Sequence, residues 1–170
     1  MQFYTPIALF SLLQVGIALS PGLSSCESLN KFQLSHSKIR FTTPIADGSN
    51  FTGDSPETSY NTLQTSLPAS CRVAAVVQTS NSSSARFEIW LLASAQWNSR
   101  FLAVGNGGWA GGVNYPDIVT GLKKGQSNSI DLHLLAYHCP GFATMSTDTG
   151  HNSTQNDAIW TGNAEQMIDL

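Results

Sequence analysis

The stretch Gly105-Asn106-Gly107-Gly108-Trp109-Ala110-Gly111-Gly112 constrains this chain more than any other. Glycine tolerates positive φ and leaves backbone N–H groups unshielded by a Cβ. Such an octet is a corner, neither helix nor strand. It follows the apolar run Phe101-Leu102-Ala103-Val104, which reads as a buried strand. It precedes Pro116–Lys124, which reads as a helix. Pro116 suits the first helical position, Asp117 complements the N-terminal dipole, and Lys123 and Lys124 complement the C-terminus. Gly125 is a natural residue just past a helix end. Phe142–Ser146 then predicts another strand. Strand, corner, helix and strand make a βαβ unit within an α/β fold.

Upstream the pattern is all β. Arg72–Thr79 is apolar and β-branched, as a strand requires. Asn81–Ser84 is a polar turn. Ala85–Leu92 alternates, with Phe87, Ile89 and Leu91 on one face and Arg86, Glu88 and Trp90 on the other, predicting a half-buried strand. Gln96–Ser99 reads as a turn before Phe101–Val104. The three runs predict an antiparallel meander. Cys26–Pro68 mixes turn formers with short extended pieces at Phe41–Thr43 and Phe51–Thr52. Near the end, Asn163 is expected to cap a helix with Met167 and Leu170 on its inner face.

The 170 residues carry a net charge of −3, and 11% are charged, which excludes a basic nucleic-acid footprint. The length suits one domain or part of a larger one. Met1–Ser20 has no charged side chain, and its apolar stretch Ile7–Leu19 is broken by Ser11 and Gln14. A bilayer span needs about 20 mostly apolar residues. The stretch instead suits a secretory leader, residues 1–18, cleaved after Ala18 with Gly16 as the second small residue. A basic n-region is lacking, and a buried N-terminal helix is the alternative. Three sequons begin at Asn50, Asn81 and Asn152 and are expected to carry glycans outside the cell. The cysteines are Cys26, Cys71 and Cys139, an odd number for a secreted chain.

Chemistry concentrates in few places. The octet can aim bare N–H groups at an anion, as an oxyanion hole does. Gly105-x-Gly107-x-x-Ala110 also matches a loose dinucleotide fingerprint, but the loop does not open directly into a helix. A tight corner with Trp109 packed over it is the plain structural alternative. Asp148-Thr149-Gly150-His151 offers an acid and a base. Two such residues in one short loop more simply place Asp148 on nearby backbone N–H groups. No Gly-x-Ser-x-Gly elbow occurs, and Gly125–Ser129 lacks the final glycine. His133, His138 and Cys139 have no second cluster to complete a metal site.

The strings RFEIWLL (86–92), WNSRFLAVGNGGWAGGVNYPDIVTGLKKG (97–125) and FATMSTDTGHNST (142–154) resemble the fungal tannase and feruloyl esterase family. The resemblance implies a secreted serine esterase with an α/β-hydrolase core, acting on hydroxycinnamoyl or galloyl esters of plant polymers. It implies a lid domain holding a structural calcium ion. Residues 19–170 would be the N-terminal portion of the catalytic domain, with a β-meander leading into a βαβ unit. Of the family's functional residues only the Gly107-Gly108 region carries over, as the oxyanion-side loop. The nucleophile belongs to a Gly-Cys-Ser-x-Gly-Gly type of elbow beyond Leu170, and no triad role falls on Ser127, Asp148 or His151. The calcium-bearing lid is likewise expected outside this chain.

One departure from the family pattern stands out. Family sequences pass almost directly from GLKKG to FATMSTDTGH, whereas residues 126–141 (QSNSIDLHLLAYHCPG) intervene here. This segment reads as a translated, unspliced intron. Excising it removes Cys139 and leaves Cys26 and Cys71 as an even pair for a disulfide. Two alternatives to esterase function remain open at this stage. One is a secreted carbohydrate-binding module with Trp90, Trp97 and Trp109 as stacking platforms. The other is a gene-model fragment that does not fold.

Overall fold

The computed structural model describes residues 25–124 and 141–157, together with Gly162 and Ala164. The leader 1–18, residues 126–140 with Cys139, and the helix expected at Asn163 lie outside the described residues. The strands are β1 (Ser37–Ile45), β2 (Ser49–Phe51), β3 (Gln64–Leu67), β4 (Ser70–Gln78), β5 (Ser84–Leu92), β6 (Trp97–Ala103) and β7 (Gly141–Thr147). One α-helix, α1 (Tyr115–Lys123), lies between β6 and β7. A mixed five-stranded sheet runs in the order β1-β4-β5-β7-β6, and β2 and β3 form a separate ribbon.

Strands β4 and β5 form the expected hairpin, with Val73 opposite Ile89 and Gln78 opposite Ser84. Its turn is held by the Ser80 hydroxyl, which accepts Ser83 N–H at 3.1 Å. The expected three-strand meander does not form. Strand β6 is not a neighbour of β5; β7 lies between them, antiparallel to β5 and parallel to β6. The reason is the helix. A crossover through α1 returns the chain parallel to β6, and it docks β7 on the side of β6 nearer β5. The expected βαβ unit is therefore present, and it is what displaces the meander.

Helix α1 begins one residue earlier than the sequence suggests. Asn114 caps it, accepting Asp117 N–H at 3.2 Å through its side chain and donating to the Asp117 carboxylate at 2.9 Å. The helix buries Tyr115, Ile118, Val119 and Leu122 against Leu67, Trp90 and Leu92. Gly121 lets the helix approach β7, because a Cβ there would lie 2.5 Å from Thr144 Oγ1 and 3.0 Å from Leu102 Cδ2.

Burial departs from the plain apolar pattern on two strands. On β5 the face carrying Glu88 and Trp90 is the buried one, with both residues at 0% exposure, while Phe87, Ile89 and Leu91 are half-buried. Charge on Glu88 is neutralised by neighbours described below, so the polar face can turn toward α1. The second concerns β6, read from sequence as a buried strand at Phe101–Val104 behind a turn. The strand starts at Trp97, takes in the expected turn, and leaves Phe101 54% exposed. As the outermost strand of the sheet it has a neighbour on one side only.

Cys26 and Cys71 are joined by a disulfide that spans 45 residues of sequence. Around it Val73 is buried, with Leu29, Ile39 and Leu91 packed alongside. The bond ties the short 3-10 helix Glu27–Lys31 to β4.

Candidate functional site

In a mixed sheet the loops that leave the carboxyl ends of neighbouring parallel strands share one end of the sheet, where such folds bind ligands. Here those loops are the glycine octet after β6 and residues 148–157 after β7. They are bonded to each other: Gly111 N–H donates to the Ser153 carbonyl at 2.9 Å and Gly112 N–H to the His151 carbonyl at 3.2 Å. The Asn106 side chain donates to the Gly112 and Thr147 carbonyls at 3.1 and 3.2 Å. The corner thus has a fixed shape although glycine-rich. Gly112 sits at φ +89°, and a Cβ there would collide with Ser55 and Pro56, so no other residue fits it.

The two glycines singled out from sequence differ. Gly107 N–H donates to the Tyr60 hydroxyl at 2.6 Å. Gly108 is exposed at φ +60°, and its N–H meets no acceptor among the described residues. Tyr60 was not visible as a site residue from sequence. It ends the 3-10 helix Thr58–Tyr60, 47 positions from its partner, and no local pattern links them.

Asp148 and His151 share one tight turn, in which His151 N–H donates to the Asp148 carbonyl at 3.1 Å and Thr149 and Gly150 take positive φ. Asp148 Oδ1 accepts backbone N–H groups from Arg86 at 2.9 Å and Gly150 at 3.0 Å. Burial pushes its pKa up to about 6, although these N–H groups oppose the shift. His151 is 3% exposed, with Nδ1 2.8 Å from the Ser153 hydroxyl, and burial pushes its pKa down. Both residues brace the loop from inside.

An ionic cluster that the sequence did not reveal is centred on the fully buried Glu88. Glu88 receives Arg72 Nε at 2.6 Å and Nη2 at 2.7 Å, Arg86 Nη2 at 2.7 Å, the Tyr115 hydroxyl at 3.0 Å and the Trp90 indole N–H at 3.2 Å. Burial alone would raise the pKa of Glu88, but the Arg72 hydrogen bonds and charge hold it below the usual carboxylate range. Burial and the Glu88 charge together raise the pKa of Tyr115. Asp54 takes the outer side of Arg86 at 3.1 Å and the Tyr115 hydroxyl at 2.7 Å. The Arg72 guanidinium lies 4.8 Å from the Phe51 ring centroid and 4.9 Å from that of Phe41.

The tryptophan platforms separate as well. Trp90 is fully buried with Phe51 packed edge-on at 5.0 Å, so it stacks on no sugar. Trp97 and Trp109 are 42% and 59% exposed. The sequon residues Asn50, Asn81 and Asn152 are all exposed. Among the described residues no helix is long and apolar enough to cross a membrane.

Comparison with known proteins agrees with this geometry. Residues 71–170 match the family described as tannase and feruloyl esterase. The chain is 32% identical to a probable feruloyl esterase B-2 of Aspergillus terreus, over 81% of this chain and 23% of that protein. It is 30% identical to feruloyl esterase C of Talaromyces stipitatus, over 88% of this chain and 27% of that protein. The crystal structure of feruloyl esterase B from Aspergillus oryzae superimposes with a TM-score of 0.67 at 28% identity, covering 86% of this chain and 26% of that one. The chain spans about a quarter of the length of the curated relatives it matches.

Proposed function

Because the chain belongs to the tannase and feruloyl esterase family, we propose that it supplies the oxyanion side of a secreted serine esterase that cleaves hydroxycinnamoyl or galloyl esters of plant polymers. The observation that carries the reading is the glycine corner. It stands at the carboxyl end of β6 beside the loop after β7, with Gly108 exposed and its N–H without an acceptor among the described residues. A serine from sequence outside these 170 residues attacks the ester carbonyl while a histidine, also from outside, takes its proton. The carbonyl oxygen gains negative charge, and Gly108 N–H donates to it. Collapse of the tetrahedral intermediate expels the alcohol with a proton from the histidine. Water then releases the aromatic acid. One such donor contributes about 2.7–4 kcal/mol to the barrier reduction in comparable sites.

The sheet order supports the α/β-hydrolase form of this reading. Strands β4-β5-β7-β6 end on β6, whose outer edge can take a further parallel strand carrying the nucleophile. Among the described residues, no group of three or more His, Cys, Asp or Glu side chains could hold a metal ion. Any calcium would belong to lid sequence outside this chain, and no step above runs through it.

The test uses methyl ferulate and a gallate ester. The complete polypeptide that carries these residues is expected to hydrolyse one or both, and a serine-directed inhibitor to stop it. The 170-residue chain by itself is expected to hydrolyse neither. Inhibitor-sensitive turnover by the purified 170-residue chain would place the nucleophile within it and overturn this division of labour.

A further inference from the structure

We propose that Tyr60 is a positioning residue that decides which amide of the glycine corner faces the reacting oxygen, an inference that rests on the esterase reading above. Two neighbouring amides, those of Gly107 and Gly108, are candidates by sequence. The Tyr60 hydroxyl occupies the first at 2.6 Å, while the second belongs to an exposed residue and meets no acceptor among the described residues. A Gly-Asn-Gly-Gly run has little steric preference of its own, so its peptide planes are held by their bonds: the Gly107 carbonyl, in the plane that carries Gly108 N–H, accepts Ala110 N–H at 3.2 Å, and Tyr60 fixes the plane before it.

Tyr60 is suited to this task because its own position is locked. Tyr60 is 8% exposed. The 3-10 turn that carries it is capped by Glu57, which accepts Ser59 N–H at 3.3 Å and the Ser59 hydroxyl at 3.0 Å. The other oxygen of the same carboxylate accepts Gln155 N–H at 3.1 Å, in the loop after β7. These hydrogen bonds hold the pKa of Glu57 down, so it stays an acceptor at neutral pH. Ser55 and Pro56 fill the space beside Gly112. Residues 55–60 therefore act as a strut. They touch the octet at Gly107 and Gly112 and the facing loop at Gln155, so both walls of the site are held from one short stretch.

The test is Tyr60→Phe in the complete esterase chain, which keeps the ring and deletes the acceptor. Amide hydrogen exchange at Gly107 is expected to accelerate at least about tenfold, with β4 and β5 amides unchanged. For methyl ferulate, kcat is expected to fall about 10–100-fold while KM stays within about twofold. A role in packing alone would leave kcat unchanged, because Phe fills the same volume. Unchanged exchange at Gly107, or faster exchange with unchanged kcat, overturns the assignment. A second variant replaces the Gly108 N–H by an ester oxygen. If that variant loses about 100-fold or more in kcat while Y60F keeps its kcat unchanged, the Tyr60 inference alone fails. If it keeps full activity, the oxyanion reading fails and takes this inference with it.

Discussion

Glu88 shows at the scale of one residue how the sequence pattern misleads. The period-two alternation along β5 is real, but it does not say which face turns inward. Arg86 lies two residues away and Arg72 sixteen, and both bond the Glu88 carboxylate inside the fold. A carboxylate with this many partners can be buried, and the aromatic Trp90 follows it. Breaking such a pair from one side leaves uncompensated charge. Glu88→Gln is therefore expected to destabilise the chain by about 3–5 kcal/mol, read from urea unfolding at neutral pH. Replacement with less than about 1 kcal/mol lost would mean that water reaches the cluster. Asp148 behaves in the opposite sense. Its folded-state pKa is raised to about 6 from 3.8, chiefly by burial. The native state thus binds the proton more tightly than the unfolded chain, and this group's contribution falls as pH rises from about 4 to 6. Asp148→Asn keeps an oxygen for the two backbone donors and cannot ionise. It is expected to gain on the order of 2 kcal/mol over wild type at pH 7.5 and close to nothing at pH 4. An equal difference at both values would locate the effect in packing. The Tyr60–Gly107 and Glu57–Gln155 bonds were illegible for a simpler reason: their partners are 47 and 98 residues apart.

Among the elements, α1 was the most legible, because its signals are local. Pro116, Asp117 and Lys123 each act through the helix's own backbone, and each end moved by only one residue, to Tyr115 and Lys123. Strand existence was also legible at β4, β5 and β7. Strand pairing was not. The meander assumed that successive strands are neighbours, whereas the α1 crossover places β7 inside the sheet. That crossover depends on close contact. Thr144, fully buried on β7, sits where a Cβ of residue 121 would go, with Oγ1 at 2.5 Å and Cγ2 at 2.9 Å. Alanine in place of glycine gains roughly 0.8–1.0 kcal/mol of helix propensity. Overpacking against a side chain that cannot retreat costs about 1–3 kcal/mol. The second effect is expected to win, so Gly121→Ala should lower stability by about 1 kcal/mol in urea unfolding. A stabilised variant would show that α1 can slide away from β7 without loss.

For the whole molecule, the closing question is how α1 hands the chain to β7. Gly141 opens β7, and a Cβ on it would lie against the Leu122 carbonyl near the end of α1. The chain thus returns to the helix end it left, with residues 125–140 between the two points in sequence. Deleting residues 126–141 brings Gly125 to the place Gly141 occupies, so the glycine that this contact demands is still there. Leu122 and Gly125 are then three residues apart, the separation of an ordinary turn. We propose on this ground that 126–141 is intronic, and two outcomes follow. The mature transcript is expected to lack the codons for QSNSIDLHLLAYHCPG, and sequencing it decides the point. The shortened protein is expected to fold with the sheet intact and to gain on the order of 2 kcal/mol, since closing a connection of about one residue in place of about seventeen costs less chain entropy. Circular dichroism and urea unfolding of the two forms measure that difference. A shortened protein that loses its sheet, with a transcript that retains the segment, would make residues 126–141 a working part of the fold.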